Sequence, residues 1–243
     1  MPGIEEILHR RTDLSTFLVH LTRDHGGISA RDRLTAIYDE RVLECGSAMG
    51  WAADEDDPAD TAAQSQRVVC FTETPLEHVW LMTQPIEGRR NQFAPYGVAL
   101  PKYLGRKLGV NPVWYVDMTP GRDWAISEAL NELHLMAAES DDFHAQPEAR
   151  IFPFIEGMGV WPNRTKEFWW EREWRHVGSL YLPGDRCLFL CPEAEIDEFV
   201  QPETLSPRAA ARARRQFIDP AWGLERIITH LAGIPKSDTT PFA

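Results

Sequence analysis

The sequence predicts an α+β protein with one compact mixed central sheet and flanking helices. Short apolar, β-branched segments alternate with segments of helical periodicity along the chain. The predicted strands are short and their connections irregular, which favours a mixed sheet over a doubly wound parallel one. With 243 residues, 43% of them hydrophobic, the chain can form one well-covered core. We therefore predict a single domain over 1–243, with a core at about 16–200 and a C-terminal helical extension at 201–243.

The first half of the chain contains most of the predicted strands. In order, the patterns predict a helix at 4–11, a strand at 17–22, a helix from Ser29 closed by Gly46, a strand at 67–72, a short helix from Pro75 to Trp80, and strands at 96–100 and 112–117. The acidic stretch at 47–66 has no apolar period. We expect it to be a surface loop that contributes nothing to the core.

The second half is predicted to be mainly helical. Ile126, Leu130, Leu133 and Ala137 form one stripe of a helix at 124–139. Prolines and glycines make 151–164 an irregular connection. Two strands at 166–177 and 186–191 follow, and then helices at 193–200, 206–217 and 222–232.

Composition limits the possible functions. The chain has 25 lysines and arginines against 37 acidic residues, a net charge of -12, which opposes broad contact with a phosphate backbone. Its four cysteines include no zinc-type pair, so we expect reduced thiols and no metal site. The charged N-terminus and the lack of a long apolar run predict a soluble cytoplasmic protein. Motifs of zinc peptidases, nucleotide hydrolases, Rossmann dehydrogenases and esterases are absent.

The most informative segment is 168–176, with the sequence Phe-Trp-Trp-Glu-Arg-Glu-Trp-Arg-His. In a strand, alternate side chains point to opposite faces. Trp169, Glu171, Glu173 and Arg175 would then share a face, which is unfavourable for two carboxylates unless a cation or ligand compensates them. In one interpretation, Arg175 holds one carboxylate while the other binds a sugar hydroxyl or transfers a proton. In the other, the residues form a structural ion pair under an aromatic lid.

Three further sets of residues have both a functional and a structural interpretation. His20 and Thr22 project together at the end of the first strand, although a lone histidine in an apolar strand is more often a core residue than a ligand. Thr72 either donates a hydrogen bond in a pocket or, more commonly for such a residue, caps the next helix. Arg208, Arg212 and Arg215 on one helical face either meet phosphates or an acidic partner, or are simply solvated.

Four short segments stand out in order along the chain: Cys70-Phe-Thr-Glu-Thr-Pro-Leu76, Phe93-Ala-Pro-Tyr-Gly-Val98, Asn111-Pro-Val-Trp-Tyr-Val116 and Glu171-Arg-Glu-Trp-Arg175. Together they resemble the landmarks of AbiGi-type abortive-infection proteins. The similarity covers about 16–200. It implies a role in stopping phage propagation as one half of a toxin–antitoxin-like pair, and hence a cognate partner protein. The acidic loop and the arginine-rich helix depart from the family pattern.

A looser similarity concerns mechanism. A strand ending in His-x-Thr, a later threonine-bearing strand and a late Glu-x-Glu strand are similar to the layout of ADP-ribosyltransferase-like domains. That resemblance implies NAD as the cofactor, with Glu173 catalytic, His20 and Thr22 holding the dinucleotide, Thr72 supporting the site, and either Tyr96 or Tyr115 stacking on the nicotinamide. In the corresponding enzyme hypothesis, Glu171 selects the acceptor and Arg175 is the cofactor-site residue that holds one carboxylate. A carboxylate would stabilise the oxocarbenium-like charge that develops when the nicotinamide–ribose bond breaks.

These observations lead to two main hypotheses. The first is an NAD-consuming transferase that acts as a defence effector. The second is a non-catalytic antitoxin or sensor whose acidic surface binds a basic toxin or mimics nucleic acid. A nucleic-acid-directed enzyme that uses the arginine-rich helix is less favoured, because the net charge opposes it.

Overall fold

The computed structural model describes residues 11–56, 65–85, 92–121 and 125–239. Apart from Arg11, the helix predicted at 4–11 lies outside this part of the chain. The strands are β1 (Phe17–Leu21), β2 (Val42–Leu43), β3 (Val68–Thr72), β4 (Gly97–Pro101), β5 (Asn111–Pro112), β6 (Trp114–Asp117), β7 (Ile155–Trp161), β8 (Arg164–Lys166), β9 (Glu173–Val177), β10 (Leu180–Tyr181), β11 (Leu188–Leu190) and β12 (Phe217–Ile218). The α-helices are α1 (Ala30–Glu40), α2 (Val79–Met82), α3 (Lys102–Lys107), α4 (Ala125–Ala138), α5 (Ile196–Val200), α6 (Pro207–Arg214) and α7 (Leu224–Ala232).

The fold is of the predicted α+β class, with mixed sheets and several helices. By contacts, the chain divides into two compact units, which are described separately. The first unit comprises residues 1–41, 74–102 and 182–243, and the second comprises residues 42–73 and 103–181. No helix in the described ranges has the length and apolar character needed to cross a bilayer.

In the first unit, four strands lie side by side in the order β12, β11, β4, β1. The β1–β4 and β4–β11 pairs are antiparallel, and the β11–β12 pair is parallel. Aromatic rings fill the core beneath these strands: Phe217 packs against Phe189 and Phe199, at centroid distances of 5.4 and 5.5 Å. Tyr38 of α1 contacts both Phe189 and Phe217.

Two helices of the first unit end at other residues than the sequence predicts. Ser29 caps α1 by accepting a hydrogen bond from the Asp32 amide, but the helix ends at Arg41, which adopts a left-handed conformation at φ 58°. Gly46 is therefore not its cap, and β2 follows at once. The helix predicted at 206–217 ends at Arg214, because Phe217 and Ile218 pair with β11 and are buried.

In the second unit, β9 lies between β3 and β5, and both of these pairs are antiparallel. Strands β6, β7 and β8 form a separate three-stranded sheet, and β2 pairs with β10. The unit's core cluster consists of Ala52, Val116, Leu130, Ala137, Phe143, Ala149, Phe152 and Ile155. The prediction of an irregular 151–164 was wrong, because a short 3₁₀ turn there leads into the seven-residue strand β7.

The described part of the acidic loop belongs to this core rather than to the surface alone. Ala52 is fully buried and Trp51 packs against the same cluster, so the prediction that 47–66 contributes no core was wrong. The Trp51 amide donates to the carbonyl of Phe152 at 3.0 Å. Gly50 makes this close approach feasible, because its φ is +99° and an added Cβ would lie 2.1 Å from the Phe152 oxygen.

Candidate functional site

The strongest concentration of charge in the second unit surrounds Arg175, which β9 carries into the interior. Its side chain is 0% exposed, which for arginine requires several hydrogen-bonding partners. Nε and Nη2 donate to the two oxygens of Glu173, both at 3.0 Å. Nη2 also donates to Glu156 Oε2 at 2.6 Å, and Nη1 to the Pro153 carbonyl at 2.7 Å. Each of the three guanidinium nitrogens therefore donates at least one hydrogen bond to the protein itself.

Glu156 extends this group, which we call the Arg175 cluster: Arg175, Glu173, Glu156 and Lys166. Lys166 Nζ forms an ion pair with Glu156 Oε1, so both oxygens of Glu156 are engaged. Burial by itself would raise the pKa of Glu156, but Arg175 and Lys166 more than offset this and hold that pKa below its ordinary value. Burial likewise would lower the pKa of Arg175, yet the carboxylates of Glu173 and Glu156 raise it. Glu156 and Arg175 therefore remain ionised near neutral pH.

Two other titratable side chains face the same cluster. Burial, followed by the charge of Glu173, raises the pKa of the Cys70 thiol well above its usual value. Burial and then Glu173 also raise the pKa of the Tyr115 hydroxyl. Both groups therefore stay protonated at neutral pH, so neither is an activated nucleophile or base.

The turn before β9 differs from its prediction. Residues 169–171 form a 3₁₀ helix and Arg172 is left-handed at φ 49°, so the strand begins only at Glu173. Glu171 and Glu173 are therefore not alternate residues of one strand, and the predicted shared face holds only for Glu173 and Arg175. Instead, the carbonyl of Glu171 accepts a hydrogen bond from the Thr72 hydroxyl at 2.5 Å.

Glu73 fixes this turn to the end of β3. Its side chain is largely buried and accepts hydrogen bonds from Arg172 Nη2 at 3.1 Å and from Trp174 Nε1 at 2.8 Å. The Glu73 amide donates to the Arg172 carbonyl. Thr72 and Glu73 of the first segment and residues 171–174 of the last thus form one hydrogen-bonded structure beside the β3–β9 pair.

The remaining predicted site residues lie in the first unit. The hydroxyl of Thr22 is buried within hydrogen-bonding distance of the Ala30 and Tyr96 carbonyls, at 3.0 and 3.2 Å. The Tyr96 hydroxyl donates to Glu195, which Arg31 also contacts, and burial together with Glu195 raises the pKa of Tyr96 to about 12. His20 pairs with Val98 across the β1–β4 ladder.

The structure thus places the predicted residues in two groups. Thr22 and Tyr96 lie together in the first unit, with His20 on the adjoining strand. Glu173, Arg175, Thr72 and Tyr115 lie together in the second. Sequence reasoning missed Glu156 and Lys166. The alternation of apolar and polar residues in Ile155-Glu156-Gly157-Met158 is typical of a strand and could have indicated Glu156. The neighbouring glycines and prolines favoured an irregular connection instead.

Sequence comparison identifies the class of protein to which this α+β chain belongs, which is a class of phage-resistance proteins. The sequence profile of a family described as putative abortive phage resistance protein AbiGi, antitoxin, matches residues 52–188. That match covers more than half of the chain, and the chain therefore belongs to the AbiGi family. The matched segment contains the whole Arg175 cluster and excludes His20 and Thr22. No curated protein and no solved structure matches the chain.

Proposed function

We propose that this protein is the antitoxin-type component of an abortive-infection system and acts by binding a partner protein, without catalysis. The family description supports the antitoxin role. The observation that carries the non-catalytic part is that each of the four carboxylate oxygens of Glu173 and Glu156 already accepts a hydrogen bond from Arg175 or Lys166. A carboxylate held in this way stabilises the fold and is poorly placed to take or give a proton.

The proposed partner is a basic toxin. The net charge of -12 speeds encounter with a positively charged protein and disfavours nucleic acid. In this proposal the toxin is neutralised by direct contact, so the interaction itself is the activity to be measured.

The test is to co-express the protein with the protein encoded beside it, and to measure both growth and co-purification. We expect the pair to co-purify and this chain to relieve the partner's toxicity. A Glu173→Gln variant that still unfolds cooperatively should relieve toxicity as well as the parent does. Failure to neutralise the partner, or loss of neutralisation in a folded Glu173→Gln variant, would count against the proposal.

An NAD-consuming transferase is the second candidate. It is supported by the position of Glu173 at the start of β9, where its side chain keeps 12% exposure beside Tyr115. For this candidate, NAD added to the purified protein is turned over with release of nicotinamide, and Glu173→Gln abolishes the turnover while His20→Ala weakens NAD binding. The absence of any heat of binding with millimolar NAD would eliminate it.

A further inference from the structure

The second unit contains an open cleft that the proposed function does not use, although Glu156 and Lys166 of the Arg175 cluster are among the residues that line it. Its volume is about 360 Å³, within the ~300–1,000 Å³ typical of small-ligand sites. The loop at 50–54, helix α4 and strands β7 and β8 all contribute to its lining, together with Met118 after β6. A cleft to which so many elements contribute has a defined shape rather than being a gap beside one loop.

The walls of the cleft provide flat apolar surfaces. Trp51, Met118 and Trp161 line it, and Gly157 of β7 allows its backbone to lie close against Met118 and Trp51. A Cβ at Gly157 would lie 3.3 Å from Met118 Cγ and 3.8 Å from the Trp51 ring. Indole faces of this kind stack favourably on planar rings.

Three polar side chains that line the cleft are solvent-exposed, so water can be exchanged for a ligand at their hydrogen-bonding groups. Asp54, Asn131 and Arg164 line it, and none of them forms a hydrogen bond or ion pair with another residue of the described ranges. Arg164 instead lies over the Trp161 ring, 4.8 Å from its centroid. A carboxylate, an amide and a guanidinium together offer acceptors and donors to one ligand.

The balance of charge selects the class of ligand. A cation would meet Arg164 and Lys166, and an anion would meet Asp54 and Glu156. A purely apolar molecule would remove Asp54 and Asn131 from water without replacing their hydrogen bonds. A neutral, planar heteroaromatic group that carries both hydrogen-bond donors and acceptors can stack on the tryptophans and form hydrogen bonds with the polar side chains, without meeting a like charge.

We propose that this cleft binds a nucleoside, with its base stacked on Trp51 and its hydrogen-bonding edge facing Asp54 and Asn131. Asparagine and aspartate side chains recognise base edges through such paired donors and acceptors. Arg164, already stacked on Trp161, contributes a donor at the rim. This site differs from the predicted NAD-binding residues, none of which lines the cleft.

Isothermal titration with adenosine, guanosine, cytidine and uridine tests the proposal on the full-length protein. We expect saturable binding of at least one nucleoside, weakened by up to about tenfold by Asp54→Ala and by Asn131→Ala, since each removes about one hydrogen bond. Glu132→Gln is the matched control, because Glu132 is exposed on α4 next to Asn131 and does not line the cleft. Thermal melting of each variant verifies folding.

Absence of saturable binding for all four nucleosides at millimolar concentration would overturn the proposal. So would binding that the control and the cleft variants weaken equally. Neither result bears on the antitoxin proposal, because toxin neutralisation is measured separately and in cells.

Discussion

Arg175 in the second unit and the arginines of α6 in the first unit both pair with carboxylates, yet their surroundings are opposite. Arg175 is completely buried and donates to two glutamates and a carbonyl. On α6, Arg212 pairs with Asp185 while 74% exposed, and Arg214 Nε contacts Asp197 Oδ1 at 2.6 Å while 41% exposed. Burial, rather than the presence of a partner, decides which of these ion pairs the fold depends on.

Replacing Arg175 should have the largest effect on stability, and it therefore tests the difference between buried and exposed arginine–carboxylate pairs most directly. Arg175→Met would leave Glu173 and Glu156 close together in a largely buried site, with only Lys166 to compensate them. Breaking a buried pair in this way typically costs ~3–5 kcal/mol, so we expect a loss of that size in the free energy of unfolding. Urea denaturation at pH 7 measures it.

A combined Arg175→Met, Glu156→Gln, Glu173→Gln variant provides the control. Because it removes the unpaired charges as well, it should be more stable than Arg175→Met alone. If Arg175→Met lowered the free energy of unfolding by less than about 1 kcal/mol, Arg175 would contribute no more to stability than the surface arginines do, and burial would not distinguish them.

Glu156→Gln removes one acceptor from the cluster and should have an intermediate effect. Glu173 still neutralises Arg175, so we expect a loss of about 1–3 kcal/mol. Glu167→Gln makes the same chemical change at an exposed position next to Lys166, and its effect should stay within about 0.5 kcal/mol. Equal effects of the two variants would show that burial of Glu156 is unimportant.

The ionisation of Glu156 should also make the stability of the protein depend on pH. Since the pKa of Glu156 is lower in the folded protein than its ordinary value of 4.5, its ionised form stabilises the fold fully above about pH 4.5. That contribution is lost as the pH falls through the folded-state pKa. The stability difference between the parent and Glu156→Gln should therefore be constant from pH 7 to about 5 and shrink below that range. A difference that grows on acidification would contradict the assigned direction.

The contrast also explains what the sequence could and could not predict. Alternation of Glu173 and Arg175 in a strand predicts their contact, because residues two apart lie on one face. Glu156 comes from a strand 19 residues earlier, and only tertiary structure brings it to Arg175. Local pattern likewise predicts β1 and β3, from their short apolar and β-branched runs, and α4, from its helical period.

Predictions failed where a single backbone conformation outweighed the pattern. Arg172 at φ 49° interrupts the apparent strand at 166–177, and hydrogen bonds from Arg172 and Trp174 to Glu73 hold that turn. Arg41 at φ 58° ends α1 before Gly46, and nothing in the side chain of either arginine favours a left-handed conformation. These backbone conformations depend on contacts with residues distant in sequence, and local sequence patterns do not reveal such contacts.

Arg214→Ala on α6 should have the smallest effect, and it completes the comparison. The pair with Asp197 lowers the pKa of that carboxyl, but both side chains are largely in water, so screening reduces its contribution to about 0–1 kcal/mol. The small loss should decrease further in 0.5 M NaCl, because exposed charges are screened over a few ångströms at such ionic strength. Arg175→Met should be almost insensitive to the same salt, since its cluster is shielded from solvent. Two results would contradict this view: a loss of unfolding free energy for Arg214→Ala as large as that for Arg175→Met, or a loss for Arg214→Ala that is the same in low and high salt. Either result would mean that solvent exposure does not distinguish these arginines, and that the Arg214–Asp197 pair stabilises the first unit as a buried pair would.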